Sequence, residues 1–272
     1  MAAETDTPPT SLDDIHHVIA VASGKGGVGK STVSVNLALA FAEKRHSAGL
    51  LDADVYGPNV PQMMGVSGSL EKDSSGKIQP ISQHDIRLVS VGFVAGPSQA
   101  MIYRGPLIGK MVKGFLKNVA WGKLDYLVVD LPPGTGDAAL TLAQSTELTG
   151  AVIVTTPQQV ALSDVRKSIT MFQRLRVPVL GIVENMSYYT SSGTDERSYI
   201  FGQGGGRALS DEMGLPFLGE IPISPAICSG GDAGKPIFLD PEFTTEIEAF
   251  RTVREGVLAE IKAAAVSGTV RS

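Results

Sequence analysis

Apolar residues along the chain fall into two alternating rhythms. Short, nearly continuous apolar runs at His17–Ala22, Ala48–Asp52, Tyr126–Leu131, Ala151–Thr155, Val179–Val183 and Phe217–Ile221 predict strands covered on both faces, as parallel strands are. Between them apolar residues recur at helical spacing. Val35, Leu39 and Ala42 mark a helix over Ser31–Glu43, and Leu107, Met111, Phe115, Leu116 and Val119 mark one over Leu107–Ala120 with lysines on its outer face. Further helices are predicted near Ala161–Leu175, Gly205–Met213 and Thr244–Ala264. Ile78–Ile81 and Ile86–Val91, separated by polar Ser82–Asp85, predict a hairpin added to the core sheet. Gly57-Pro58 predicts a turn, Pro61–Gly65 a short helix at most, and residues 67–77, rich in Ser, Gly and Lys, a loop. The alternation predicts an α/β fold, a mostly parallel sheet with helices on both faces, whose ligand sits at the carboxyl ends of the strands. A single domain is expected over 16–264, with flexible tails at 1–15 and 265–272.

The segment joining the first strand to the first helix carries the chemistry. Residues 24–32 read Gly-Lys-Gly-Gly-Val-Gly-Lys-Ser-Thr, and Gly24, Gly29, Lys30 and Ser31 satisfy the phosphate-loop pattern in its required strand–loop–helix setting. Gly26, Gly27 and Gly29 let the backbone approach phosphate oxygens without an intervening Cβ, so successive N–H groups, Val28 included, form an anion nest. Lys30 is expected to reach the β- and γ-phosphates and Ser31 to ligate Mg²⁺. Thr32 lies on the first helical turn, where the dipole favours negative charge. This is the site of a nucleotide triphosphatase, with ATP and Mg²⁺ as the expected ligands. A second lysine, Lys25, cannot easily fold back onto its own γ-phosphate, so it serves either a neighbouring molecule or solvent.

Carboxylates follow at the ends of two strands. Asp130 closes the apolar run Leu127-Val128-Val129, the geometry of an aspartate that holds Mg²⁺ through water. Pro132-Pro133-Gly134-Thr135-Gly136-Asp137 then looks like a switch loop, in which Asp137 either caps the next helix or meets nucleotide. Asp52 and Asp54 lie two residues apart, so both side chains share one face if the strand continues, one ordering the metal's water shell and the other the attacking water. Turn formation ahead of Gly57-Pro58 is the other reading of this pair. Asn185 follows a strand and can donate and accept at once, which suits either an adenine edge or a turn.

The string at 24–32 resembles the deviant Walker A (MinD-like) ATPases. That resemblance implies a homodimer in which Lys25 crosses to the partner's nucleotide, Asp54 positions the water and Asn185 reads adenine. With Arg104-Gly105-Pro106, Asp130 through Asp137, Glu184-Asn185-Met186-Ser187, Ile200-Phe201-Gly202 and Gly234-Lys235-Pro236, the chain is similar over about residues 16–260 to the Mrp/ApbC family. Those proteins are implicated in carrying iron–sulfur clusters as ATP-hydrolysing dimers. The resemblance implies iron–sulfur client or scaffold proteins as partners. Many members place a C-x-x-C where this chain has Ser191 and Thr194, and two such pairs per dimer can hold a [4Fe–4S] cluster. Cys228, the single cysteine, gives only two thiolates per dimer. The small N-terminal domain usual in the bacterial members is not present in this sequence.

Composition narrows the alternatives. The 272 residues, 43% hydrophobic, suffice for a sizeable core, and a net charge of −5 argues against a broad nucleic-acid surface. One cysteine excludes an intrachain disulfide, and no apolar run reaches the length of a bilayer span. A cytoplasmic protein without membrane or nucleic-acid partners is the default expectation. An ATP-driven positioning switch and a nucleotide-gated adaptor without a cluster are the competing readings.

Overall fold

The computed structural model describes residues 12, 14–94, 105–191 and 196–266, with backbone alone at 105 and 106. The chain runs through β1 (Ile15–Ser23), α1 (Lys30–Glu43), β2 (Ala48–Asp52), α2 (Val60–Met63), β3 (Ile81–Gln83), β4 (Ile86–Ser90), α3 (Gly105–Asn118), β5 (Leu124–Asp130) and α4 (Asp137–Ser145). It continues through β6 (Gly150–Thr155), α5 (Gln159–Arg174), β7 (Val179–Glu184), β8 (Tyr189–Thr190), β9 (Arg197–Ser198), α6 (Gly205–Met213), β10 (Phe217–Glu220), α7 (Pro225–Asp232) and α8 (Thr244–Val266). An eight-stranded sheet in the order β10-β7-β6-β1-β5-β2-β4-β3 forms the middle layer, and only β3 is antiparallel to its neighbour.

Strand periodicity divides the core into two. Ala20 and Ala22 of β1 and Val129 of β5 face one side, packing with Val112 and Leu116 of α3, Leu142 of α4 and Ile169 and Phe172 of α5. Ile19 and Val21 face the other, packing with Leu37 and Phe41 of α1 and Phe250, Val253 and Val257 of α8. Helices therefore cover both faces, as the continuous apolar runs require. Helix α8 is held to the end of α1 by buried Arg254, whose guanidinium donates to Ala40 O at 3.0 Å and Glu43 Oε2 at 3.1 Å.

Departures from the sequence reading have local causes. The hairpin exists, but its first arm is 81–83 rather than 78–81: Pro80 has no N–H for a ladder, and Ile78 instead makes isolated bridges to Lys72 and Val119. His84 and Asp85, both at positive φ, form its two-residue turn. Helix α7 escaped the periodicity because Gly230 and Gly231 dilute it, although Ser224, whose side chain accepts from Ala226 N, and Pro225 at the first turn form a legible start signal. Helix α4 is the helix expected after the switch loop, though the sequence reading gives it no bounds, and the β8–β9 pair, two residues to a strand, is too short to show an alternation. The tails at 1–11 and 267–272, and Arg104 and Thr194, lie outside the described residues.

Candidate functional site

The phosphate loop leaves β1 at Ser23 and enters α1 at Lys30. Gly27 and Gly29 hold φ near +80°, a region that L side chains disfavour, and a Cβ on Gly29 would collide with the Asn185 amide. Gly24 presses against α5, where a Cβ would come within 2.5 Å of Asp164 C and Val165 N. Gly29 occupies the cap position of α1 without any side-chain cap bond, so the first-turn N–H groups lack the usual capping acceptor.

Beneath the loop a polar knot joins three elements. Lys30 Nζ lies 2.8 Å from Asp130 Oδ1 and 3.3 Å from Asp54 Oδ2. Ser31 Oγ donates to Asp130 Oδ2 at 2.6 Å, and Ser34 Oγ to Asp130 Oδ1 at 2.7 Å. Asp130 is completely buried, so its charge is tolerable only with such partners. Ser34 was not foreseen; its place one helical turn after Lys30 was the available signal.

Asp52 and Asp54 do not share a face as the sequence suggested, because β2 ends at Asp52. Asp52 turns inward: Oδ1 accepts from Asp54 N at 3.0 Å and Oδ2 from Ser90 Oγ at 2.7 Å, with no exposed surface. Asp54 instead reaches the cavity beside Lys30. Asp52 stands opposite Asp130 in the β2–β5 register. Burial, reinforced by Asp130, pushes the Asp52 carboxyl up to about 8. Burial also raises Asp54; Lys30 opposes this and Asp130 adds to it. Two carboxylates, Asp130 and Asp54, against the one Lys30 ammonium leave excess negative charge, which a divalent cation would offset. Among the described residues no group of three or more His, Cys, Asp or Glu is placed to hold a metal by itself. A serine hydroxyl beside the loop's anion nest fits a magnesium ion that takes its remaining ligands from phosphate and water.

The cavity above this knot, about 370 Å³, is lined by Lys25, Lys30, Ser31, Thr32 and Asp54, and also by Tyr56 and Asn59, which sequence reasoning did not single out. Lys25 is half-buried, and among the described residues its ammonium has no ion pair. Gly134, at φ +87°, donates its N–H to Ser23 O at 2.9 Å, tying the switch loop to the start of the phosphate loop. Asp137 opens α4, with Gly136 in the cap position. Asn185 is buried, and its Nδ2 donates to Val28 O at 2.8 Å. A larger cleft, about 670 Å³, lies elsewhere between β10 and the start of α8; its Arg197 and Arg251 are paired with Glu220, Glu43 and Glu248, and it has no phosphate loop. Phosphate chemistry belongs to the smaller cavity.

Comparison with known proteins agrees with this geometry. A family model described as ParA: NUBPL iron-transfer P-loop NTPase matches residues 14–258. The iron-sulfur cluster carrier protein of Synechocystis sp. is 46% identical over 261 residues, covering 94% of this chain and 74% of that protein. The iron-sulfur cluster transfer protein NUBPL of Dictyostelium discoideum is 41% identical over 255 residues, covering 93% and 79%. Among solved structures, a nucleotide-binding protein from Archaeoglobus fulgidus in complex with ADP superposes with a TM-score of 0.74 at 42% identity, over 83% of this chain and 89% of that one. The Pyrococcus furiosus cell division ATPase MinD, at 22% identity and TM-score 0.67 over 89% and 98%, shares the fold.

Proposed function

Because the chain belongs to the ParA/NUBPL family of iron-transfer P-loop NTPases, we propose that it is a homodimeric carrier of iron–sulfur clusters that binds and slowly hydrolyses Mg-ATP. The observation that carries this reading is the knot of Lys30, Ser31 and Asp130 under a glycine loop that lines a cavity.

Phosphates would rest on the backbone N–H groups of Gly26 to Thr32, with Lys30 balancing charge on the β- and γ-phosphates. Magnesium, when bound, supplies neutralisation of the phosphate oxygens; Ser31 would hold it, while Asp130 and, from behind, Asp52 order its surroundings. Asp54 would orient the attacking water from beside Lys30. Asn185 keeps a second N–H and its carbonyl for the adenine edge while bracing Val28. Lys25 has no ion partner of its own among the described residues and would complete the site of a second copy.

Exposed apolar side chains around the carboxyl end of the sheet support that second copy. Tyr56 after β2, Leu140 in the first turn of α4, Val160 at the start of α5 and Ile200 and Phe201 ahead of α6 all lie near this end. Exposed apolar side chains at this end of the sheet are available for a second copy to cover. The partners beyond the dimer would be iron–sulfur client or scaffold proteins. No helix among the described residues is long and apolar enough to cross a membrane, and the net charge of −5 disfavours nucleic acid. The cytoplasm is the compartment we propose.

A second reading is favoured by one observation: Ser191 stands where the resemblance expects a cysteine, leaving the exposed Cys228 as the only thiol per chain. In that reading the protein is a nucleotide-gated adaptor for cluster-handling clients. Anaerobic reconstitution with iron and sulfide, an iron count and an absorbance spectrum separate the two. About four irons per dimer, released to an apo-ferredoxin faster with Mg-ATP, is the expected result for a carrier of a [4Fe–4S] cluster. A preparation that never holds iron and leaves cluster transfer unchanged overturns the carrier and leaves the adaptor.

A further inference from the structure

The segment that ends β7 is pinned at both of its ends. At its start, Asn185 N donates to Thr155 O at 2.8 Å, and the Asn185 amide donates to Val28 O inside the phosphate loop. At its finish, Ser187 N donates to Ile221 O at 2.9 Å while Ile221 N donates to Glu184 O at 2.9 Å. Between them Met186 holds φ +55°, a left-handed conformation that a non-glycine residue keeps only where its surroundings over-determine it.

Glu184 adds a buried charge to the same segment. Its Oε1 accepts from Ser187 Oγ at 2.5 Å and its Oε2 from Gly206 N at 2.5 Å, in the first turn of α6. The cap position of α6, Gly204, offers no side chain, so this carboxylate supplies an acceptor to the helix start. A Cβ on Gly206 would lie 3.0 Å from Glu184 Cβ, so the two elements meet without slack. Past Tyr188 the chain enters β8, and its start is tied back by Ile223 N donating to Tyr188 O at 2.7 Å and by the bridge of Tyr189 to Ile223.

We infer that Glu184–Ser187 is a latch through which occupation of the phosphate loop is transmitted to the β8–β9 pair and the start of α6, with Asn185 as the positioning residue at the loop end. The inference rests on the proposal that this loop binds ATP, and adds the route by which nucleotide state reaches a surface distant in sequence. Its physical basis is a chain of close contacts: the loop carbonyl of Val28, the Asn185 amide, the strained Met186, the Ser187 hydroxyl, the Glu184 carboxylate and the α6 N–H. A change in how Val28 is held cannot be absorbed locally, because Gly29 leaves no room beside the amide and Gly206 none beside the carboxylate.

Hydrogen–deuterium exchange on the full-length chain, with and without Mg²⁺ and a non-hydrolysable ATP analogue, tests this. In the wild type, analogue binding measured by calorimetry should be accompanied by a several-fold change in exchange for peptides covering 187–191 and 196–206. Asn185→Ala should bind the analogue more weakly, having lost its contact with the adenine edge, and at saturating analogue its exchange over β8–β9 and the start of α6 should no longer depend on nucleotide. Ser187→Ala removes only a hydroxyl at the far end of the latch; it should leave affinity unchanged and weaken the response in the same peptides, and it serves if Asn185→Ala does not fold. Analogue binding without any change in these peptides, or an equal change in both variants, overturns the latch. A wild type that takes up no analogue overturns the ATP reading and the latch with it.

Discussion

Replacing Asp52 with asparagine should stabilise the protein increasingly as pH rises. The folded state holds the Asp52 proton up to about pH 8 because burial and Asp130 oppose its charge, whereas an unfolded aspartate ionises near 3.8. Between these values the folded chain binds a proton that the unfolded chain has lost. Stability therefore falls as pH climbs through the window, and is unaffected by this group below it. A displacement of about four pH units corresponds to at most ~6 kcal/mol at pH 8 and above, and relaxation around the ionised carboxylate reduces that ceiling. Asparagine cannot ionise, and it can keep both bonds: its Oδ1 accepts from Asp54 N, and its amide can donate to Ser90 Oγ, which already accepts from Gly92 N at 2.9 Å. The measurement is urea unfolding of both proteins at pH 5, 7 and 8.5. The expected result is a midpoint advantage for the variant that grows by several kcal/mol across the series at constant m-value, ~1–3 kcal/mol of it surviving if relaxation is extensive. A pH-independent difference, or a variant less stable at pH 8.5, would refute the assignment of a buried, proton-holding Asp52.

Other substitutions probe other parts of the site. Lys25→Ala should retain nucleotide binding and lose hydrolysis together with nucleotide-dependent dimerisation, read by phosphate release and light scattering; unchanged turnover contradicts a role across the interface. Lys30→Ala removes the ammonium shared by Asp130 and Asp54 and should weaken ATP binding by at least about a hundredfold, from the ~3 kcal/mol scale of a buried charged contact, as calorimetry would show. Arg254→Ala leaves Glu43 and the Ala40 carbonyl without their buried donor and should lower stability by about 3 kcal/mol, with nucleotide affinity of the folded fraction unchanged. A melting curve identical to wild type would remove Arg254 from the list of structural supports.

What the sequence made legible follows from how locally each feature is determined. The phosphate loop could be read because its chemistry needs glycines, lysine and serine adjacent in the chain, and the parallel sheet because strands buried on both faces are apolar throughout. Ser34 and Ser90 could not be read so directly. Ser34 is an unremarkable helix serine until β5 brings Asp130 to it, and Ser90 meets Asp52 only through the pairing of β2 with β4. The Asn185 bond to Val28 spans 157 residues and has no sequence signature beyond a polar residue after a strand. The Asp52–Asp54 geometry failed because its premise, a strand continuing past Asp52, is a boundary question, and boundaries depend on ladder partners that the sequence does not show.

The central claim is that the loop at 24–32 closes on Mg-ATP and that a second copy of the chain completes the site. Multi-angle light scattering across an ATP titration with Mg²⁺, using Asp54→Ala, which should slow hydrolysis and so hold the bound state, tests it most directly. The account expects saturable uptake with the mass rising from that of one chain to that of two, and no such rise when Lys25→Ala is added. A protein that fills with nucleotide yet keeps the mass of a single chain, or one that takes up none, contradicts it.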